Sequence, residues 1–267
     1  LGGRGRTGMN PRFRLIAQHE LATFALAMQF LTRLPVPVGN AYTPERMAAT
    51  PRYYPLVGAL VGLLCAMVYM LTASKLTPVV GVLLAVAAGL LLTGAFHEDG
   101  LADTFDGLGS ADRDKALAIM RDSRIGTYGA LALISVLALK AAALTALAPN
   151  HIVTALIVAH GLSRLSAVLV IATSTYARDH GTGKPTAEGI DQTGLAMALG
   201  TGAVLLILMA VAFDFSAMVA VAVGTAAGHV AMRTLFERRL RGYTGDTLGA
   251  VQQISELGAY LGLLWWH

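Results

Sequence analysis

Apolar stretches of bilayer-spanning length recur along the chain, separated by polar loops. They run over residues 55–74, 78–96, 127–148, 152–176, 195–213, 217–235 and 248–266. Each is near the roughly 20 residues that a transmembrane helix needs, so the pattern predicts about seven spans. The last is the least apolar, because it carries Gln252, Gln253 and Glu256. Ahead of them, residues 15–33 mix apolar positions with His19, Glu20 and Gln29 and stop short of Pro35 and Pro37. That segment reads as an amphipathic helix lying in the interface or packed on the bundle. The fold class is all-α: a polytopic helical membrane protein with about seven transmembrane helices and an amphipathic N-terminal helix. Residues 1–14, rich in Gly and Arg, are expected to be a disordered or tag-like segment. Residues 15–267 form a single helical membrane domain in this reading, with reactive loops at 97–126, 177–193 and 236–247.

Composition excludes a soluble globular domain. The chain is 55% hydrophobic and only 13% charged, against about 25% charged in soluble domains. Its single cysteine, Cys65, lies in an apolar stretch and leaves no intrachain disulfide. No zinc motif, Walker loop or nucleic-acid module is present. The net charge of +4 matters less than its placement. Arg113, Lys115, Arg121, Arg124, Arg178, Lys184, Arg233, Arg238, Arg239 and Arg241 fall in or beside alternate loops, while the intervening turns hold only Lys75. The positive-inside rule puts the long loops in the cytoplasm, and with them any chemistry.

The first long loop carries that chemistry. His97-Glu-Asp-Gly-Leu-Ala-Asp-Thr-Phe-Asp-Gly107 sets Asp99, Asp103 and Asp106 at spacings of four and three. On a helix these carboxylates share one face. A divalent cation of the magnesium type would relieve their repulsion and leave room for substrate phosphates. Residues 112–126 follow as a short amphipathic helix, with Asp112 as N-cap and Gly126 as stop. It would bring Lys115, Arg121, Asp122 and Arg124 beside the metal face, an arrangement suited to phosphoryl transfer. A second element, opening at Gly242-Tyr-Thr-Gly-Asp-Thr247, offers Thr244 and Asp246 at a helix start, a seat for an anion. Lys140, His160, Arg164 and Glu256 fall at membrane depth, where charged groups face a cavity or a partner. Lys140–Glu256 and Arg164–Glu256 are both candidate ion pairs.

These motifs together resemble the cobalamin synthase family, the adenosylcobinamide-GDP ribazoletransferases. The resemblance rests on Phe30-Leu-Thr-Arg-Leu-Pro-Val-Pro37, Tyr54-Pro-Leu-Val-Gly58, the aspartate stretch and Ile119-Met-Arg-Asp-Ser-Arg-Ile-Gly126. Leu162-Ser-Arg164, Tyr176-Ala-Arg178 and Thr244-Gly-Asp-Thr-Leu-Gly-Ala250 continue it in order. Glu98 departs from it, since the family pattern has Leu there. The resemblance implies a magnesium-dependent enzyme of the bacterial inner membrane with its site facing the cytoplasm. It implies α-ribazole, or its 5′-phosphate, and adenosylcobinamide-GDP as substrates, with GMP released and adenosylcobalamin or its 5′-phosphate formed. The lipid bilayer is the expected surroundings, homo-oligomerisation is left open, and no nucleic acid is involved. The expected metal ligands are Asp99, Asp103 and Asp106, with Asp122 as a further catalytic carboxylate. Lys115, Arg121, Arg124, Arg164, Thr244 and Asp246 are the expected substrate- and phosphate-binding residues. A CDP-alcohol phosphotransferase also clusters aspartates at a helix mouth, but Asp106-Gly107 here is followed by Leu-Gly-Ser rather than by that group's Ala-Arg. A cation-coupled transporter would leave the carboxylate cluster without a task.

Overall fold

A computed structural model describes residues 11–178 and 190–267. The helices are α1 (Pro11–Leu31), α2 (Pro44–Ala48), α3 (Tyr54–Ala73), α4 (Pro78–Thr93), α5 (Phe96–Leu108) and α6 (Arg113–Ile119). They continue with α7 (Thr127–Ala146), α8 (Pro149–Thr173), α9 (Gln192–Ala212), α10 (Phe215–Leu240) and α11 (Gly245–Trp266). A short 3-10 turn, Thr50–Tyr53, leads into α3. The described residues hold no strand; one isolated bridge joins Tyr176 to Tyr243. Helix α1 starts at Pro11, earlier than the sequence pattern marks, so the tag-like expectation for residues 11–14 gives way to helix. The rest of that expectation and most of the 177–193 loop lie outside the described residues.

Five helices are long and apolar enough to cross a membrane: the stretch ending in α3, then α7, α8, α9 and α10. The second predicted span is not one straight helix. It breaks after Thr93, and α5 leaves α4 at 88°. The break has a local cause. Gly94 takes a left-handed φ of 65°, the usual glycine stop of a helix, and Ala95 follows at 55°. Two left-handed residues in succession turn the chain sharply, and for Ala95 the conformation is strained. Against the expectation of about seven, length and composition support five spans among the described residues, or six if α4 and α5 together count as one bent span. Helix α11 is long enough, at 22 residues, but too polar to count by composition.

Helix α11 instead lies inside the bundle. Gln252, Gln253, Ser255, Glu256 and Tyr260 are all buried, so its polar stripe faces protein rather than lipid. Glycines let it approach α10 backbone to backbone. A Cβ at Gly224 would strike the Gly258 carbonyl, and one at Gly262 the Ala220 carbonyl. Small residues at four-residue spacing are how helices pack closely in lipid, where no hydrophobic drive separates helix from solvent. Helices α3 and α8 meet in the same way, with Gly58 against the His160 carbonyl and Gly62 against that of Leu156.

Candidate active site

Helix α5 carries the three aspartates on one face at the mouth of α4. Its position is fixed from two sides. Against α11, a Cβ at Gly100 would lie 2.7 Å from the Asp246 carbonyl oxygen, and one at Gly249 would lie 2.8 Å from that of His97. Only glycine allows this approach, and it brings the start of α11, with Asp246, up to the aspartate face. Against α7, Asp106 spans the gap. Its Oδ2 accepts the Gly126 amide at 2.7 Å, and its Oδ1 accepts the Gly129 amide at 2.8 Å. A carboxylate at the positive end of a helix satisfies orphan N–H groups and suits the dipole. Asp106 thus caps α7 from another helix.

Four carboxylates now crowd one place. The Asp103 carboxyl is pushed up to about 7, first by burial and then by the charges of Asp99, Asp246 and Asp106, while Arg178 pulls the other way. Arg178 donates to Asp246 Oδ2 at 2.8 Å. The Tyr176–Tyr243 bridge holds that arginine in place: the Ala177 amide donates to the Tyr243 carbonyl and the Tyr243 amide to that of Thr175, each at 2.8 Å. Arg113 ties the same corner, donating to the carbonyls of Leu240 and Ala177 at 2.8 and 2.9 Å.

A pocket of about 450 Å³ opens beside this face. Asp99, Asp103, Glu98, Arg33, Ser123 and Ile125 are among the residues that line it. Arg33, Glu98 and Ser123 were not singled out from the sequence as site residues. For Arg33 a signal existed, since it stands inside the Phe30–Pro37 motif.

The other expected residues fall less centrally. Asp122 pairs with Arg124 at 2.6 Å within its own turn, and that arginine holds its carboxyl below the usual range. Lys115 and Arg121 are exposed. The helix expected over 112–126 is shorter, because α6 ends at Ile119 and Gly126 instead opens α7. Asp112 does cap α6, accepting the Lys115 amide at 2.8 Å. Thr244 is fully buried and its hydroxyl closes a capping box with Thr247, so it shapes the start of α11 rather than facing a ligand. Arg164 is 2% exposed and lines a cavity of about 30 Å³ inside the bundle rather than the pocket beside the aspartates.

That inner cavity has its own order. Lys140 pairs with Glu256 at 2.9 Å and donates to Gln253 Oε1 at 2.6 Å. Gln252 donates to Glu256 Oε2 at 2.6 Å, and Tyr260 to Glu256 Oε1 at 3.2 Å. Of the two ion pairs open in the sequence, the structure shows Lys140–Glu256. Gln253 Nε2 also donates to Glu98 Oε1 at 2.8 Å, so the cavity network reaches up to α5.

The carboxylates offer hard oxygen donors of the kind suited to a divalent cation. As the side chains stand, no three His, Cys, Asp or Glu groups among the described residues converge as a complete metal cage. Two carboxylates completed by substrate phosphates is the arrangement magnesium favours over an all-protein cage, and Asp99 and Asp103 face the pocket in which such phosphates would sit.

Comparison with known proteins agrees with the motifs. No solved structure matches the chain. The adenosylcobinamide-GDP ribazoletransferase of Leptothrix cholodnii is 48% identical over 256 residues, covering 92% of this chain and 96% of its own. Proteins of the same name from Shewanella woodyi and Shewanella oneidensis are 44% and 45% identical; the alignments cover 93% and 92% of this chain and 98% and 94% of theirs. A family model described as cobalamin-5-phosphate synthase matches residues 23–264, which takes in the aspartate helix, both capped corners and the buried network alike, and the chain belongs to that family.

Proposed function

We propose that the chain joins α-ribazole, or its 5′-phosphate, to adenosylcobinamide-GDP and releases GMP, the last step in assembling the nucleotide loop of cobalamin. The names of its relatives support the substrates. The observation that carries the site is the pocket where Asp99 and Asp103 meet beneath the α4 mouth. In the reaction a ribose hydroxyl attacks the phosphorus on the cobinamide side of the pyrophosphate, and GMP leaves in line.

Asp99 and Asp103 are the residues that would hold magnesium, with substrate phosphates completing the set. Bound there, the ion would supply Lewis-acid stabilisation of the charge that grows on the departing phosphate. The chain's own groups do the rest. The hydroxyl proton would pass to a carboxylate of the cluster that does not hold the ion. Lys115 and Arg121, exposed on α6 and just after it, would meet phosphate charge. Burial pushes the Asp246 carboxyl up, and Arg178, paired to it at 2.8 Å, opposes that rise and orients it at the base of the site. Basic residues gather at the end of the bundle that holds Asp99, which supports a site facing the cytoplasm of a bacterial inner membrane.

The test is direct. Purified protein in lipid is mixed with both substrates, with and without magnesium, and GMP is measured. Metal-dependent GMP release that Asp99→Ala abolishes is expected. Near-normal turnover by Asp99→Ala removes that residue from the site, and CMP release from a CDP-lipid would move the chain to a different reaction.

A further inference from the structure

The structure has a second pocket, on the lipid-facing side of α3 and α4. It has a volume of about 520 Å³ and is apolar along its length, with Leu64, Met67, Leu71, Ala88 and Leu91 among its walls. Met67, Leu71 and Leu91 are exposed there. Small Ala88 leaves the hollow between larger neighbours. At the mouth end stands one charged group, Arg33.

Arg33 is placed firmly. Its amide donates to the Leu92 carbonyl at 2.7 Å, which ties the chain after α1 to the end of α4. Its side chain lies over Gly94, where a Cβ would strike the guanidinium. Among the described residues Arg33 forms no ion pair, unlike Arg52, Arg113, Arg124, Arg178 and Arg233. A cation without an ion pair at the rim of an apolar groove, level with a helix mouth, suits the two halves of one ligand. The groove takes a hydrocarbon tail, and the guanidinium takes a phosphate by a charge-assisted, forked hydrogen bond.

We infer that this groove is a binding site for an anionic phospholipid, with an acyl chain between α3 and α4 and the headgroup phosphate on Arg33. The site is distinct from ordinary boundary lipid because it is concave and because one fixed cation selects the headgroup. It also abuts the corner where α4 turns into α5, and the same guanidinium borders the carboxylate pocket. The inference does not depend on the reaction assigned above.

The test uses full-length protein in nanodiscs of mixed phosphatidylglycerol and phosphatidylcholine, released into detergent, with retained lipid read by native mass spectrometry and no substrate present. Wild type is expected to retain phosphatidylglycerol in preference to phosphatidylcholine. Arg33→Gln should weaken that retention about fivefold, the worth of one cation near a charged headgroup, and Arg33→Lys should restore much of it. Ala88→Trp, which fills the groove and keeps Arg33, should also lower it. Equal retention of the two lipids by wild type marks boundary lipid only and overturns the inference, as does Arg33→Gln that holds phosphatidylglycerol as well as wild type. Because the readout is lipid mass, it stands or falls apart from GMP release.

Discussion

Asp106 offers the sharpest test of how the site is built. It accepts two amides of a neighbouring helix, Gly126 at 2.7 Å and Gly129 at 2.8 Å. Removing a capping carboxylate costs about 0.5–2 kcal/mol, and a single hydrogen bond to a charged group contributes about 1.5–3 kcal/mol. Asp106 is partly exposed, which lowers the value of each bond. Yet Gly129 is buried, and its amide would be left without a partner. A local cost of about 2 kcal/mol follows, which is about thirtyfold in the opening equilibrium of the first turn of α7. Hydrogen exchange of the 126–131 peptide in nanodiscs reads that opening. Asp106→Ala should exchange about thirtyfold faster there, while Asp99→Ala, which caps nothing, should leave the peptide at its wild-type rate. Asp106→Asn keeps one acceptor but turns an NH2 group towards the second amide, so it should fall between. Exchange in Asp106→Ala within about threefold of wild type would refute the capping argument.

Other outcomes follow from the same geometry. Lys140→Met should lower stability by about 3–5 kcal/mol, because it strands the buried Glu256 carboxylate. Lys140→Met with Glu256→Gln should recover most of that loss, and melting in detergent distinguishes the two. The Asp103 carboxyl stands near 7 against an ordinary 3.8, so the native state holds its proton more tightly than the unfolded chain does. The stability this lends is fully present below the ordinary value and is lost as pH rises through about 7. Metal-free protein should therefore melt lower at pH about 8 than at pH about 6, and Asp103→Asn should flatten that difference. An unchanged slope in the variant would assign the effect elsewhere.

The helical bundle and the shared face of Asp99, Asp103 and Asp106 were legible because both depend on spacing alone. Hydropathy marks a helix that lipid must cover, and four-residue steps align side chains whatever they touch. The bend after Thr93 was not legible, because the apolar run continues through Ala95 and Phe96 and Gly94 is one of three glycines in it, with Gly81 and Gly89, so composition does not mark which of them turns left-handed. Helix α11 was ambiguous for the opposite reason. Its Gln252, Gln253 and Glu256 weaken the membrane signal, yet all are buried against partners on distant helices. For Arg164 the sequence gives its depth in a span but not which cavity it faces. The tasks of Asp106 and Thr244 depend on amides about 20 residues away or on a buried turn, so a list of plausible ligands could not reveal them.

The polar stripe of α11 also bears on how the chain is assembled. Outside the bundle, Gln252, Gln253 and Glu256 would meet hydrocarbon with their hydrogen-bonding groups unanswered, a state lipid penalises heavily. Lys140 on α7, Ser163 on α8 and Tyr260 on its own next turn supply the answers only when those segments are already side by side. The membrane signal is therefore unevenly shared: α7, α8, α9 and α10 carry it in their own composition, whereas α11 depends on its packing against them. The same packing sets Gly100 of α5 against the Asp246 backbone, so the start of α11 reaches the aspartate face only where that polar stripe is satisfied.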